Sequence, residues 1–265
     1  MLVVGELINA SRKAIREAIE KQDVEVIQAI ARQEHEAGAH FLDVNAGIFV
    51  EKEEEYLRWL VQIVQAVVDG PCSIDSPNPK AIEATLAIHR GTPMINSISL
   101  ETKRYEKMIP LIAGTDYKVV ALCMGDGGMP ETAEDRLKIA DQLINKLVSR
   151  NIPVDNIYVD PLVQPISVNQ TYGTAFLKAI ELVRDAFPGV NVLCGLSNVS
   201  YGLPGRLFVN QIFMAMAISR GLNGAIINPL DRRMMANIIA AEAIAGKDSY
   251  CVNYMKAFRA KKFEL

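Results

Sequence analysis

Short apolar runs that end in an acid or a carboxamide recur along this chain. VVGELI leads to Asn9 and holds Glu6, HFLDVNA carries Asp43 and Asn45, and CSID ends at Asp75. PMINSIS carries Asn96, IYVD ends at Asp160, VLCGLSN at Asn198 and AIIN at Asn228, whereas KVVALCM ends at Met124 without a polar group. A strand is a costly place to bury a polar side chain unless that side chain is hydrogen-bonded or used. Carboxylates only accept hydrogen bonds, while carboxamides both donate and accept. A ring of them suits a polar, weakly charged heterocycle. Such a ring forms where the C-terminal ends of parallel strands converge at a barrel mouth.

The elements between these runs support a barrel. Strand and helix signals alternate along the chain, the mark of βα units and a parallel sheet. A helix is expected from near Ser11, and another in DVEVIQAIARQEHEAG with Gly38 just past its end. EEEYLRWLVQIVQAVVDG places Leu57, Leu60, Val61, Val64, Val67 and Val68 on one helical face behind an acidic first turn. Further helices are expected in KAIEATLAIHR, ETKRYEKMIPLIAG, AEDRLKIADQLINKLVSR, TAFLKAIELVRDAF, RLFVNQIFMAMAISRG and RRMMANIIAAEAIAG. The length of 265 residues fits one (β/α)8 TIM barrel, typically about 250 residues, as a single domain over 1–265. GDGGMPE follows the fifth strand without phosphate-loop spacing, and reads as a flexible active-site loop with Pro130 at a helix start. PLVQPISVNQTYG is long for a βα turn and is expected on the site rim. LFVNQIFMAMAIS is apolar nearly all round, which suggests either a wide core contact or a homodimer seam. The tail YMKAFRAKKFEL reads as a final packing helix.

Composition narrows the function. The net charge of −3 argues against a nucleic-acid surface. No apolar run reaches the roughly 18 residues of a membrane span, and no clear export signal opens the chain, so a cytoplasmic protein is expected. Cys72, Cys123, Cys194 and Cys251 form no CxxC pair, and those beside strands read as small buried hydrophobes. His35, His40 and His89 lack ligand-like neighbours, and no bound metal is expected.

The order CSIDSPN, MINSIS, IYVDPL and GLSNVSYGLPGR resembles the pterin-binding methyltransferases, and within them the methyltetrahydrofolate:corrinoid (iron–sulfur) protein methyltransferases. The resemblance runs from GELIN to the KAF tail, and GLSNVS with Arg206 and Asn210 is its most specific part. It implies a (β/α)8 barrel, commonly a homodimer, with 5-methyltetrahydrofolate or tetrahydrofolate as substrate. Asp75, Asn96 and Asp160 then match the residues that read the polar edge of the pterin. Asn198 matches the amide that contacts N5, where it stabilises the N5-protonated form, with Asp160 and an ordered water completing the network. Ser197 and Arg206 fall beside the pterin. Glu6 and Asn9 are equally placed at strand ends, where structural hydrogen bonding in the barrel mouth is the alternative, as it is for Asp43 and Asn45. At Tyr201-Gly202 the chain departs from the family, which has a polar Gln there, so the YGLPG loop is expected to differ in shape.

The resemblance also implies that the cobalt arrives on a corrinoid protein partner. QEHEAG has Gln33 where a cobalamin motif needs Asp, and it sits in a helical stretch. Dihydropteroate synthase is the alternative enzyme, sharing the fold and pterin edge. It needs a basic motif near the last strand, and NPLDRRM has Arg232 and Arg233 without the Ser-x-Arg/Lys pattern. A non-catalytic folate-binding or scaffolding barrel is the third reading. Retention of Asp75, Asn96, Asp160 and Asn198 together argues against it.

Overall fold

The computed structural model describes residues 1–263. Its strands β1 (Leu2–Asn9), β2 (Phe41–Asn45), β3 (Cys72–Asp75), β4 (Met94–Leu100), β5 (Lys118–Gly125), β6 (Ile157–Asp160), β7 (Asn191–Gly195) and β8 (Gly224–Ile227) close a barrel in sequence order. Every neighbouring pair is parallel, including β8 with β1. Two helices, α1 (Lys13–Glu20) and α2 (Val24–Glu36), separate β1 from β2. The crossovers that follow are α3 (Glu53–Gln65), α4 (Pro79–Leu86), α5 (Thr102–Ile112), α6 (Ala133–Val148), α7 (Tyr172–Ala186) and α8 (Arg206–Ser219). Helices α9 (Arg232–Ile244) and α10 (Val252–Arg259) complete the described chain. The expected TIM barrel is the observed fold.

Local chemistry starts the helices where side-chain oxygens can take up free amides. Asp23 accepts from Val26 N ahead of α2, Asn78 accepts from Lys80 N with Pro79 opening α4, and Asp231 accepts from Met234 N at α9. Thr132 and Asp135 form a reciprocal capping box on α6. That helix therefore begins at Ala133, and the buried Pro130 belongs to the loop before it, a correction to its expected place at the helix start. Leu57, Leu60, Val61 and Val64 of α3 are fully buried, as their spacing indicates. Helix α3 ends at Gln65, so Val67 and Val68 lie beyond it.

The tail is helical but packs lightly. Ala257 is the one buried residue of α10, and Tyr250, Met255 and Phe258 are exposed. The barrel wall is already covered by the crossover helices, so this segment has little core left to fill. Residues 264–265 of the predicted packing segment lie outside the described ones.

One helix sends a carboxyl through the wall. Glu34 of α2 is fully buried, and a Cβ on Gly5 would lie 2.5 Å from its Oε1. Glycine at that position gives the side chain its path. The β1–β2 register shifts between Gly5 and Ile8, and Leu7 N donates to Glu34 Oε1 at 3.0 Å. Oε2 has no partner, and burial pushes the carboxyl up to about 7, against the Leu7 hydrogen bond. A carboxyl raised in the folded state stabilises the fold below its ordinary pKa of 4.5 and loses that contribution as pH rises through about 7. Glu34→Gln should remove up to about 3 kcal/mol of pH-dependent stability loss between mildly acidic and mildly alkaline conditions. Urea unfolding of both proteins across that range checks it, and parallel pH profiles would contradict it.

Candidate active site

Period-two alternation builds the site. Val4, Phe41, Met94, Val120, Tyr158 and Leu193 form a buried cluster separate from the main core, each from a different strand. The main core lies between the sheet and the helices, so this second cluster is the apolar floor inside the barrel. Two residues further along a strand, side chains return to the same face. Above Val4, Phe41, Met94 and Tyr158 that position holds Glu6, Asp43, Asn96 and Asp160, and above Ser73 it holds Asp75. The polar layer thus sits directly on the floor, toward the strand C-terminal ends.

The β2–β4 part of the layer is a hydrogen-bonded network. Asp43 Oδ1 accepts from Ser73 Oγ at 2.6 Å and from Asn96 Nδ2 at 3.3 Å. Asn45 Nδ2 donates to Asp75 Oδ2 at 2.7 Å, while Asn45 Oδ1 accepts from Gly47 N at 3.0 Å. Asp75 and Asn96 are register partners on adjacent strands. Burial lifts the Asp75 carboxyl to about 6, opposed by the Asn45 hydrogen bond and the Arg104 charge. Asp43 is raised well above the carboxylate range by burial and the Asp75 charge. The turn after Asp75 is held from outside. Glu53 Oε1 accepts from Ser76 Oγ at 2.5 Å, and Arg104 donates to the carbonyls of Ser76, Pro77 and Ser97.

Asp160 closes the other side. It is 8% exposed and accepts from Leu162 N at 2.8 Å and from the Gly195 amide. Burial pushes it up to about 6, opposed by these two amides and by the Arg136 charge. Gly195 ends β7, and the side chain of Asn198 packs against it, with Nδ2 at 3.5 Å from where a Cβ would stand. Asn198 therefore does not end a strand as expected. It lies on the 3-10 turn Leu196–Ser200, because the β7 ladder stops at Gly195, and its side chain is exposed at the mouth. Arg206 fixes this turn by donating from Nε to Ser200 Oγ at 3.0 Å and from Nη2 to Ser197 O at 2.6 Å.

A cavity of about 310 Å³ opens beside the turn, lined by Glu6, Arg12, Ser197, Arg206, Asn210 and Asn228 among others. Glu6 is paired with Arg12 at 2.7 Å, and burial raises its carboxyl against that pairing. Asn9 lies beside Asn45 in register, with Oδ1 accepting from Ser11 N at 2.9 Å to close the turn into α1. Of the expected site residues, Glu6, Ser197 and Arg206 line this cavity, Asp75, Asn96 and Asp160 lie in the polar layer outside its lining, Asn198 stands on the turn beside it, and the side-chain oxygen of Asn9 serves the backbone.

Glu53, Ser73, Arg104 and Arg136 were not signalled as site residues. Arg136 had a readable mark, since it falls on the buried stripe of α6 with Ala133, Ala140 and Leu143. Glu53 was read only as part of an acidic first turn. Among the described residues no group of three or more His, Cys, Asp or Glu is arranged to hold a metal ion. Cys72, Cys123 and Cys194 are buried on the strands and Cys251 is exposed.

The sequence model of the pterin binding enzyme family matches residues 5–228. The chain belongs to the pterin-binding enzyme family. Within it, the chain is 34% identical over 264 residues to a methylcorrinoid:tetrahydrofolate methyltransferase of Eubacterium limosum, covering 99% of this chain and 97% of that one. It is 29% identical over 241 residues to methionine synthase of Mycobacterium tuberculosis, covering 86% of this chain and 20% of that protein. Burkholderia cenocepacia dihydropteroate synthase complexed with 7,8-dihydropteroate superposes with a TM-score of 0.72 at 16% identity, covering 94% of both chains. That likeness shows the shared barrel of pterin-binding enzymes and nothing finer.

The Asn45–Asp75 bond has a measurable consequence. Its donor favours ionised Asp75, so Asn45→Ala should cost about 1–3 kcal/mol of stability above the Asp75 pKa and progressively less as pH falls below about 6. Denaturation of both proteins at mildly alkaline and mildly acidic pH measures this, and a pH-independent difference would contradict it.

Proposed function

We propose that this pterin-binding enzyme is a methyltransferase moving a methyl group between N5 of 5-methyltetrahydrofolate and the Co(I) centre of a corrinoid protein. The observation that supports this is the relative matched over nearly its whole length, whose name gives a methyl transfer between a methylcorrinoid and tetrahydrofolate. Asp75, Asn96 and Asp160 form the acceptor-rich layer that reads the pterin edge, where its amide N–H and exocyclic amine are donors. Asn198 lies on the turn held by Arg206, and the amide of Gly195, which its side chain approaches, donates to Asp160.

Chemistry at N5 explains why an amide suffices. As cobalt(I) attacks the methyl carbon, the C–N5 bond breaks and its electron pair stays on nitrogen. N5 must then carry a proton or a strong hydrogen bond. An amide keeps its own proton at neutral pH, so Asn198 orients and stabilises the N5-protonated form, with Asp160 and an ordered water in the network. A hydrogen bond that strengthens only in the transition state is worth about 2.7–4 kcal/mol. Microscopic reversibility makes the same residues serve transfer toward tetrahydrofolate. The corrinoid is the second substrate and comes on a partner protein. A dihydropteroate synthase activity has only fold-level likeness in its favour, and Arg232 and Arg233 open α9 behind the Asp231 cap without the required motif.

Helix α8 supplies the proposed homodimer seam. It buries Phe213, Met214, Ala217 and Ile218, yet leaves Phe208, Ile212 and Met216 exposed, and Ile244 of α9 is 88% exposed. A cytoplasmic location fits the four free cysteines. Among the described residues no helix is long and apolar enough to cross a membrane.

Two experiments separate these roles. Asn198→Ala should slow single-turnover methyl transfer about 10²-fold or more while binding of 5-methyltetrahydrofolate changes little. Asp75→Ala should weaken that binding by about 1–3 kcal/mol. Wild-type turnover in the first, or wild-type affinity in the second, would remove that residue from its role. Phe208→Lys should shift a dimer to monomer in sedimentation velocity, and an unchanged dimer would place the seam elsewhere.

A further inference from the structure

Arg136 is a fully buried side chain of α6. Its guanidinium is committed to neutral acceptors on two loops. Nη1 donates to the carbonyls of Glu131 and Thr132, both at 2.9 Å, at the end of the glycine-rich loop after β5. Nε donates to Pro161 O at 2.7 Å, and Nη2 to Leu162 O at 3.4 Å and Gln164 Oε1 at 2.9 Å, at the start of the long loop after β6. No carboxylate among the described residues forms an ion pair with it. A buried cation without an ion-pair partner is costly, so its retention on an otherwise apolar stripe calls for a purpose beyond packing.

Two of these carbonyls, those of Pro161 and Leu162, flank a constrained point. Leu162 has φ of 63°, a left-handed conformation that L side chains rarely adopt. In this conformation its amide turns back to donate to Asp160 Oδ1 at 2.8 Å. Asp160 also accepts from the Gly195 amide, and its charge acts on the thiols of Cys123 on β5 and Cys194 on β7. Arg136 is the cation that acts on it, and from the remaining sides Tyr172 of α7 and Asp135 of α6 act on Arg136 itself.

We propose that Arg136 is a positioning residue that acts on the substrate through Asp160, by fixing the turn that holds Asp160 and by supplying its countercharge. The pterin end of this proposal rests on the functional reading above. By joining the two loops, the same guanidinium makes the conformation of the glycine-rich loop and the state of Asp160 depend on one another. An anionic Asp160 accepts from a pterin donor, whereas a protonated one presents a competing O–H.

The test compares full-length Arg136→Gln and Arg136→Lys with wild type by two readouts. The first is the titration of the Asp160 carboxyl by carbon-13 NMR in ligand-free protein, assigned with Asp160→Asn. The second is the affinity for 5-methyltetrahydrofolate across the same pH range. Arg136→Gln should move the Asp160 titration up and weaken binding most between the two midpoints, with the deficit shrinking at alkaline pH. Arg136→Lys keeps the charge and loses the fork, so it should titrate close to wild type yet bind several-fold more weakly at every pH. Glutamine and lysine variants that titrate alike, or a glutamine variant that titrates as wild type does, would overturn the proposal. Should the glutamine variant fail to fold, the lysine variant decides, because wild-type affinity in it overturns the role of the fork. A wild-type protein that binds no 5-methyltetrahydrofolate defeats the functional reading, and the ligand-free titration still decides for or against the Arg136–Asp160 link.

Discussion

Carboxyls buried directly above an apolar floor constrain the rest of this barrel. Phe41, Met94 and Tyr158 exclude water from below, so Asp43, Asn96 and Asp160 two residues on must be satisfied by protein or by ligand. Each acid of the layer accordingly has its own donor. Asp43 takes Ser73 and Asn96, Asp75 takes Asn45, and Asp160 takes the amides of Leu162 and Gly195. Those donors depend in turn on outer groups. Arg104 and Glu53 hold the turn after Asp75, Arg136 holds the turn after Asp160, and Arg206 holds the turn bearing Asn198. The C-terminal end of the barrel is thereby made of loops pinned by charged side chains that themselves stay behind the layer or at its rim.

This arrangement leaves the unliganded site electrostatically costly. Burial brings Asp75 and Asp160 to about 6, and raises Asp43 and Glu34 as well. A heterocycle whose edge carries N–H donors supplies the hydrogen bonds that the anionic forms need. In the proposed reading, substrate binding relieves a penalty that folding alone leaves in place, the usual trade of stability for function at such sites. In the proposed transfer no strong acid stands at N5. Asn198 is exposed on a turn pinned by Arg206 and adds no further buried charge.

Much of this was legible in the sequence because the barrel repeats a simple pattern. Apolar runs ending in Asp75, Asn96 and Asp160 marked both the strands and the layer, since a polar residue inside a strand is conspicuous. The alternating helices followed from spacing and caps such as Asp23 and Thr132–Asp135. Asn198 was found but placed on the strand, because LSN continues the apolar run VLCG and only ladder hydrogen bonds reveal the stop at Gly195. Arg104 has no sequence mark because its partners are backbone carbonyls, whereas Arg136 is marked only by its place on the buried stripe of α6. Glu34 was hidden for a related reason, as its path past Gly5 is a tertiary contact that neither segment announces.

Dihydropteroate synthases share the barrel at low identity, so the fold alone does not distinguish the reaction. The most direct measurement is a single turnover of wild-type protein with 5-methyltetrahydrofolate and free cob(I)alamin, followed by absorbance. Appearance of methylcobalamin with loss of cob(I)alamin, at a rate that depends on protein, is the result expected of a methyltransferase built on this layer. Saturable pterin binding with no protein-dependent methylcobalamin, from either free cobalamin or a corrinoid protein, would contradict it.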